Sequence, residues 1–176
     1  MGYRVGIITG MRIREEYSGL FLGCRVLTLI EASHRVASVH FVPRRIFFPA
    51  ELTYVEAATP RRRGYGTQAM HAFIEHVGHG KVVTTQIVHS ESWGAIRELG
   101  ILRTAYESGV SKMTRPDVLL EIPITNFLQK SGMRVERLVV WYGKGKRAPT
   151  YDEVLQKIDT EDFYPSYFRS KIEGVV

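Results

Sequence analysis

The chain has 176 residues, of which 44% are hydrophobic and 24% are charged, and its single cysteine, Cys24, excludes an internal disulfide. This size and composition are typical of one soluble globular domain, and no apolar run reaches the roughly 18 residues that a membrane span needs. The net charge of +6 favours a polyanionic ligand or nucleic acid. The N-terminal sequence has no secretory signal pattern, so we expect a cytoplasmic monomer or homodimer with no membrane partner.

The first predicted elements are strands. Apolar and β-branched residues dominate Cys24–Ala32 and Arg35–Val42, which flank Ser33 and His34 and so predict a hairpin. The alternating side chains of Glu51–Ala58 predict a third strand. Antiparallel strands are therefore expected in the first third of the chain.

Helices and strands alternate in the rest of the chain. From Gln68 onward, apolar residues recur at helical spacing, and Gly78 and Gly80 end the pattern. The later predicted elements are a strand over Lys81–His89, a helix over Glu91–Gly109, a strand over Asp117–Ile122, a helix within Ile124–Gly132, a strand over Arg134–Gly143 and a helix from Tyr151. This order predicts an α/β fold with a mixed, α+β type of sheet. We expect one domain, residues 1–148, with a C-terminal extension, residues 149–176.

A basic, glycine-containing segment lies between the third strand and the first helix. Three arginines, at positions 61 to 63, run directly into Gly64-Tyr65-Gly66. Free N–H groups at a helix start bind anions, glycine lets an anion approach the backbone, and arginine adds charge-assisted hydrogen bonds. The segment predicts a phosphate or pyrophosphate site, with a basic turn that binds nothing as the alternative. A P-loop sequence is absent, and the next strand lacks the carboxylate of a dinucleotide-binding fold.

The sequence RRRGYG, Arg61–Gly66, resembles R/Q-x-x-G-x-G/A, the acyl-CoA-binding motif of the GNAT superfamily of N-acyltransferases. The longer stretch RGYGTQAM is similar to the form found in nuclear histone acetyltransferases. The resemblance implies a GNAT-like fold, a central and mostly antiparallel sheet flanked by helices. It also implies acetyl transfer from acetyl-CoA, as co-substrate, to an amine. By position, the residues that it implies for acyl-CoA binding are Tyr54, Val55, Glu56, Arg61, Arg62, Arg63, Gly64, Tyr65, Gly66, Thr67 and Ser92.

Catalysis of this kind needs a base for the amine. Glu51 and Glu56 on the motif strand are the predicted candidates, because a carboxylate in a partly apolar cleft can accept a proton near neutral pH. His89 is a third candidate. The resemblance implies a tyrosine acid for the departing thiolate, but Leu99 occupies its position, and Tyr106 is the predicted substitute. The alternative interpretation is that Glu51 and Glu56 are ordinary surface carboxylates and that Tyr106 is an aromatic residue of the core.

Two other functions stay open. The stretch Asp117–Leu138 loosely resembles part of the acyl-homoserine-lactone synthases, which share this core. A non-catalytic nucleic-acid-binding protein is the other alternative, because GKGKR (Gly143–Arg147) and YPSYFRSK (Tyr164–Lys171) mix basic and aromatic residues. No metal is expected, because His76 and His79 lack an evident third ligand.

Overall fold

The computed structural model describes residues 5–8, 10–17, 23–57, 64–143, 149–160 and 167–176. These residues form two compact units. Unit 1 contains the described residues of Met1–Thr85 together with Leu128–Arg134 and Gly174–Val176, and unit 2 contains those of Gln86–Phe127 and Val135–Glu173. The predicted boundary between residues 148 and 149 stays a prediction.

The main body of unit 1 is a sheet with a helix on one face. Its elements are β1 (Val5–Ile8), β2 (Met11–Tyr17), β3 (Arg25–Glu31), β4 (His34–Val42), β5 (Ala50–Ala57), α1 (Tyr65–Val77) and β6 (Val82–Thr85). The strands β1 to β5 pair antiparallel in chain order. The strand β6 then pairs in parallel with β5. The predicted mixed, mostly antiparallel sheet is confirmed.

Alternate residues of the central strands point to opposite sides of the sheet. Phe41 on β4 is fully buried, and its ring centroid lies 5.3 Å from that of Phe73 on α1. In an antiparallel pair, directly opposite residues share a face, so Leu52, the partner of Phe41, also faces α1. Ser38 and His40 therefore lie on the other face. This division places apolar packing on one side of β4 and β5 and polar side chains on the other.

The remaining elements follow β6 in the chain. They are α2 (Ser90–Glu98), α3 (Ile101–Ser108), β7 (Val110–Met113), α4 (Pro116–Glu121), α5 (Pro123–Lys130), β8 (Arg134–Tyr142), α6 (Tyr151–Thr160) and β9 (Phe168–Val175). Within unit 2, β7 pairs antiparallel with β8. Gly100 adopts a left-handed conformation, with φ of 72°, between α2 and α3. The helix predicted over Glu91–Gly109 is therefore two helices.

Several predicted elements need correction. The strand predicted over Asp117–Ile122 is wrong, because α4 occupies this stretch, with Pro116 at its first position and Asp117 in its first turn. The strand predicted over Lys81–His89 is shorter, as β6. The strands β1, β2, β7 and β9 were not predicted. None of the described helices combines the length and the apolar character that crossing a bilayer requires.

Candidate functional site

The N-terminus of α1 presents backbone N–H groups without a side-chain cap. Gly64 is the N-cap residue, and its φ of 70° is a left-handed conformation that glycine adopts at little cost. The first hydrogen bond within the helix runs from Gln68 N–H to Gly64 O, 3.0 Å long. The N–H groups of Gly66 and Thr67 precede it and point out of the helix end. The first turn contains no acidic residue, so this end suits an anion.

Tyr65 fixes the start of α1 to the sheet. Its side chain is buried, and its hydroxyl donates a 2.6 Å hydrogen bond to a carboxylate oxygen of Glu31, the last residue of β3. Tyr65 was predicted to bind the ligand. Its side chain instead connects the start of α1 to the end of β3. The bond holds the following helix turn in a fixed position relative to β3.

The strand β5 has an open edge beside this helix. Its parallel pairing with β6 covers Ala50, Glu51 and Leu52, whose partners are Val83, Thr84 and Thr85. In the described part of the chain, β5 continues to Ala57 without a β6 partner, while its other edge stays paired with β4. We call this part, Thr53–Ala57, the open edge; it extends over about 16 Å, and an extended ligand can pair with a strand edge of this kind.

A β-bulge begins this open edge. His40 pairs with Tyr54, but the next residue of β4, Phe41, pairs with Leu52. Thr53 is therefore the extra residue, and a bulged residue is left out of the hydrogen-bond ladder. The bulge has a second effect, because it places Glu51 and Tyr54, three residues apart, on the same face of the sheet.

Glu51 and Glu56, the two predicted bases, lie on the face of the sheet opposite α1. Glu56 lies opposite Ser38 in the register, forms an ion pair with Arg35, and accepts a 3.4 Å hydrogen bond from the Ser38 hydroxyl. To accept a proton, Glu56 would have to give up the ion pair. Glu51, on the same face, is half-buried beside Thr84. Of the two predicted bases, Glu56 lies within the open edge, and Glu51 lies two residues before Thr53, in the part of β5 that pairs with β6.

His40 is a candidate that the sequence did not reveal. Its ring stands edge-on to Tyr54, with the centroids 5.9 Å apart, and its Nε2 lies 3.4 Å from the buried hydroxyl of Ser38. Burial lowers the pKa of His40, and the charge of Arg35 lowers it further. A neutral imidazole on this face can accept a proton. Only the register of β4 against β5 could have indicated this neighbour.

Ser92 and Tyr106, predicted for CoA binding and catalysis, belong to unit 2. Ser92 is buried, and its hydroxyl accepts a 3.2 Å hydrogen bond from the N–H of Ile124. The Tyr106 hydroxyl donates a 2.8 Å hydrogen bond to the carbonyl of Pro149. The Tyr106 ring packs 4.9 Å from that of Tyr142. Both side chains have structural partners within their own unit.

Other predicted site residues are placed as follows. Arg61, Arg62 and Arg63 lie outside the described residues, so their predicted contacts stay predictions. Tyr54 is about half exposed on the polar face, whereas Val55 pairs with Val39 on the α1 side. His89 is exposed in unit 2 as the N-cap of α2. The described residues contain no cluster of three potential metal ligands.

Comparison with known proteins gives structural neighbours only. No family model matches the sequence, and no curated protein is significantly similar to it. Solved structures similar to this chain include acetyltransferases. A GNAT-family protein from Desulfovibrio desulfuricans is 13% identical, with 88% of this chain and 69% of that chain covered and a TM-score of 0.40.

Two further solved structures similar to this chain are also acetyltransferases of low sequence identity. A Bacillus subtilis acetyltransferase in complex with CoA is 12% identical, covers 89% of this chain and 79% of its own, and has a TM-score of 0.45. The aminoglycoside 6′-N-acetyltransferase from Enterococcus faecium is 10% identical, with 89% and 74% covered and a TM-score of 0.43. All three TM-scores lie below 0.5, so these neighbours assign no activity to this chain.

Proposed function

We propose that the protein is an acyl-CoA-dependent N-acyltransferase that transfers an acetyl group from acetyl-CoA to an amine. The observation that carries this proposal is the open edge of β5 together with the uncapped, carboxylate-free N-terminus of α1, the next described element in the chain. An extended ligand with an anionic end fits these two features together. CoA has this form, since its pantetheine arm carries two amides and ends in a pyrophosphate.

The pyrophosphate binds at the N-terminus of α1. The N–H groups of Gly66 and Thr67 donate to its oxygens, and the partial positive charge of the helix end adds to the attraction. Arg61, Arg62 and Arg63 supply charge-assisted hydrogen bonds. The pantetheine amides pair with the open edge of β5 in the manner of an added strand.

The thioester lies at the bulge. Here the N–H of Thr53, the extra residue of the bulge, donates to the thioester carbonyl oxygen and stabilises the negative charge that develops on it. The amine nitrogen attacks the carbonyl carbon and forms the C–N bond. The C–S bond then breaks, and CoA leaves as a thiolate.

Glu51 takes the proton that the amine loses. It lies on the same face as His40 and Tyr54, two residues before the bulge. Glu56 is held by Arg35 and orders this face instead. The thiolate is protonated from solvent, because the Tyr106 hydroxyl already donates to the carbonyl of Pro149.

Isothermal titration with acetyl-CoA tests the binding site. Gly66→Glu places a carboxylate at the helix end and should weaken binding at least about a hundredfold, because like charges brought together cost several kcal/mol. Thr104→Glu adds the same charge at an exposed position of α3 and is the control. Equal affinities of the wild type and Gly66→Glu would refute the assignment.

A further inference from the structure

The turn between β4 and β5 holds three large apolar side chains in solvent. Ile46, Phe47 and Phe48 are 89%, 87% and 69% exposed. The backbone of Arg45 exchanges two hydrogen bonds with that of Phe48, 3.0 and 3.2 Å long, so Ile46 and Phe47 form the end of a tight turn. We call Arg44–Phe48 the hairpin tip.

The hairpin tip is short, and its backbone is restricted on both sides. Pro43 and Pro49 flank it, and each fixes its own φ and so restricts the backbone on that side. Single exposed apolar side chains are normal on protein surfaces, but a contiguous group of large ones marks an interaction site. Because the tip is convex and only a few residues long, it offers far less than the roughly 800 Å² per partner of a stable protein interface.

Positive charge lies at the base of this apolar end. Arg44 and Arg45 are both exposed, and within the described chain neither forms an ion pair. Apolar side chains at the end and guanidinium groups behind them match the layers of a bilayer surface, where acyl chains lie beneath phosphates. A nucleic acid or an acidic protein would satisfy the arginines and leave the apolar end in water.

We propose that the hairpin tip docks on an anionic lipid surface, with Ile46 and Phe47 inserted and Arg44 and Arg45 among the headgroup phosphates. This contact is not a membrane span. The sequence-based expectation of no membrane partner rested on the absence of a span and does not address surface docking. The tip precedes β5, whose eight residues extend over about 26 Å. Docking therefore leaves the N-terminus of α1, beyond the far end of β5, toward water.

Vesicle co-sedimentation tests the proposal. The full chain should pellet with vesicles of phosphatidylcholine containing about one-third phosphatidylserine and stay in solution with pure phosphatidylcholine. Phe47→Ser should weaken binding at least about tenfold, from the loss of one inserted side chain. The double variant Arg44→Gln, Arg45→Gln should weaken it about 25-fold, since each charge near the surface contributes about fivefold.

Matched variants separate the tip from general surface effects. Leu120→Ser removes another exposed apolar side chain, and Lys112→Gln with Arg169→Gln removes two exposed charges elsewhere. The apolar control should leave vesicle binding unchanged, and the charge control should weaken it much less than the arginine pair does. Melting temperatures should be equal for the wild type and Phe47→Ser, because the Phe47 side chain is 87% exposed.

Three results would overturn the proposal. They are absence of binding to the anionic vesicles, equal binding by the wild type and Phe47→Ser, and a dimer in sedimentation velocity that Phe47→Ser abolishes in a chain that binds no vesicles. The last result would assign the tip to a second copy of this chain. The proposal does not depend on the acyltransferase assignment, so tip variants should keep the wild-type affinity for acetyl-CoA.

Discussion

The two faces of β4 and β5 in unit 1 differ in what they do, although the same strands supply both. Toward α1, Phe41 and Leu52 are buried and pack in the core. On the opposite face, His40, Tyr54 and Glu56 form polar and aromatic contacts at the surface. Neighbours in sequence thus serve different purposes, since successive strand residues point to opposite sides. Substitutions on the two faces should therefore affect different quantities.

The largest effect is expected for activity on the polar face. Glu51→Gln should lower kcat by about 10²–10⁴-fold with little change in acetyl-CoA affinity, because a positioned base contributes that much. The control is Glu56→Gln on the same strand, whose rate should stay within about threefold of the wild type. Steady-state kinetics with an accepted amine give both values. If Glu51→Gln kept the wild-type rate, the proton would go to His40 or to solvent.

The free energy of unfolding should depend more on the apolar face of the sheet than on the polar face. Phe41→Ala removes a fully buried ring that packs against Phe73 and should lower the free energy of unfolding by about 3–5 kcal/mol. His40→Ala, the adjacent residue on the other face, should cost about 1 kcal/mol or less. Urea titration measures both. Similar losses for the two variants would show that both faces are equally needed for folding.

Tyr106 tests whether an aromatic in unit 2 serves the fold or the chemistry. Tyr106→Phe deletes the hydrogen bond to Pro149 and should lower the free energy of unfolding by about 1 kcal/mol. Its kcat should stay within about twofold of the wild type. A loss of tenfold or more in kcat, with stability unchanged, would make this hydroxyl the acid for the CoA thiolate.

The smallest effect concerns pH. Burial and Arg35 lower the pKa of His40, so near pH 6 the unfolded chain binds more protons at this residue than the folded chain does. The stability that His40 contributes is present above its ordinary pKa of about 6.5 and is lost as the pH falls through the folded value. Between pH 7.5 and 5.5 the urea midpoint should fall less for His40→Gln than for the wild type. An equal fall would contradict the shift.

Elements fixed by local sequence were predictable. The hairpin of β3 and β4, the motif strand β5 and the helix α1 follow from alternation, helical spacing and terminal glycines. By contrast, the short strands β1 and β7 carry little periodic signal. In α4, the helix-starting Pro116 outweighed the β-rich composition that predicted a strand.

The site was predictable in part, for a physical reason. The start of α1, where we propose that the pyrophosphate binds, is contiguous in sequence, so the place of Gly64 and Gly66 at a helix start could be predicted. The position of His40 opposite Tyr54 and the turning of Glu51 to the same face depend on strand register and on the bulge at Thr53. Pairing across strands is a tertiary property that a single segment does not encode.

The most direct test is a crystal structure with bound acetyl-CoA. We expect pyrophosphate oxygens within about 3 Å of the N–H groups of Gly66 and Thr67. We also expect the pantetheine arm along Thr53–Ala57 and the thioester carbonyl at the N–H of Thr53. Acetyl-CoA bound elsewhere, with the edge of β5 and the N-terminus of α1 unoccupied, would contradict the proposed function.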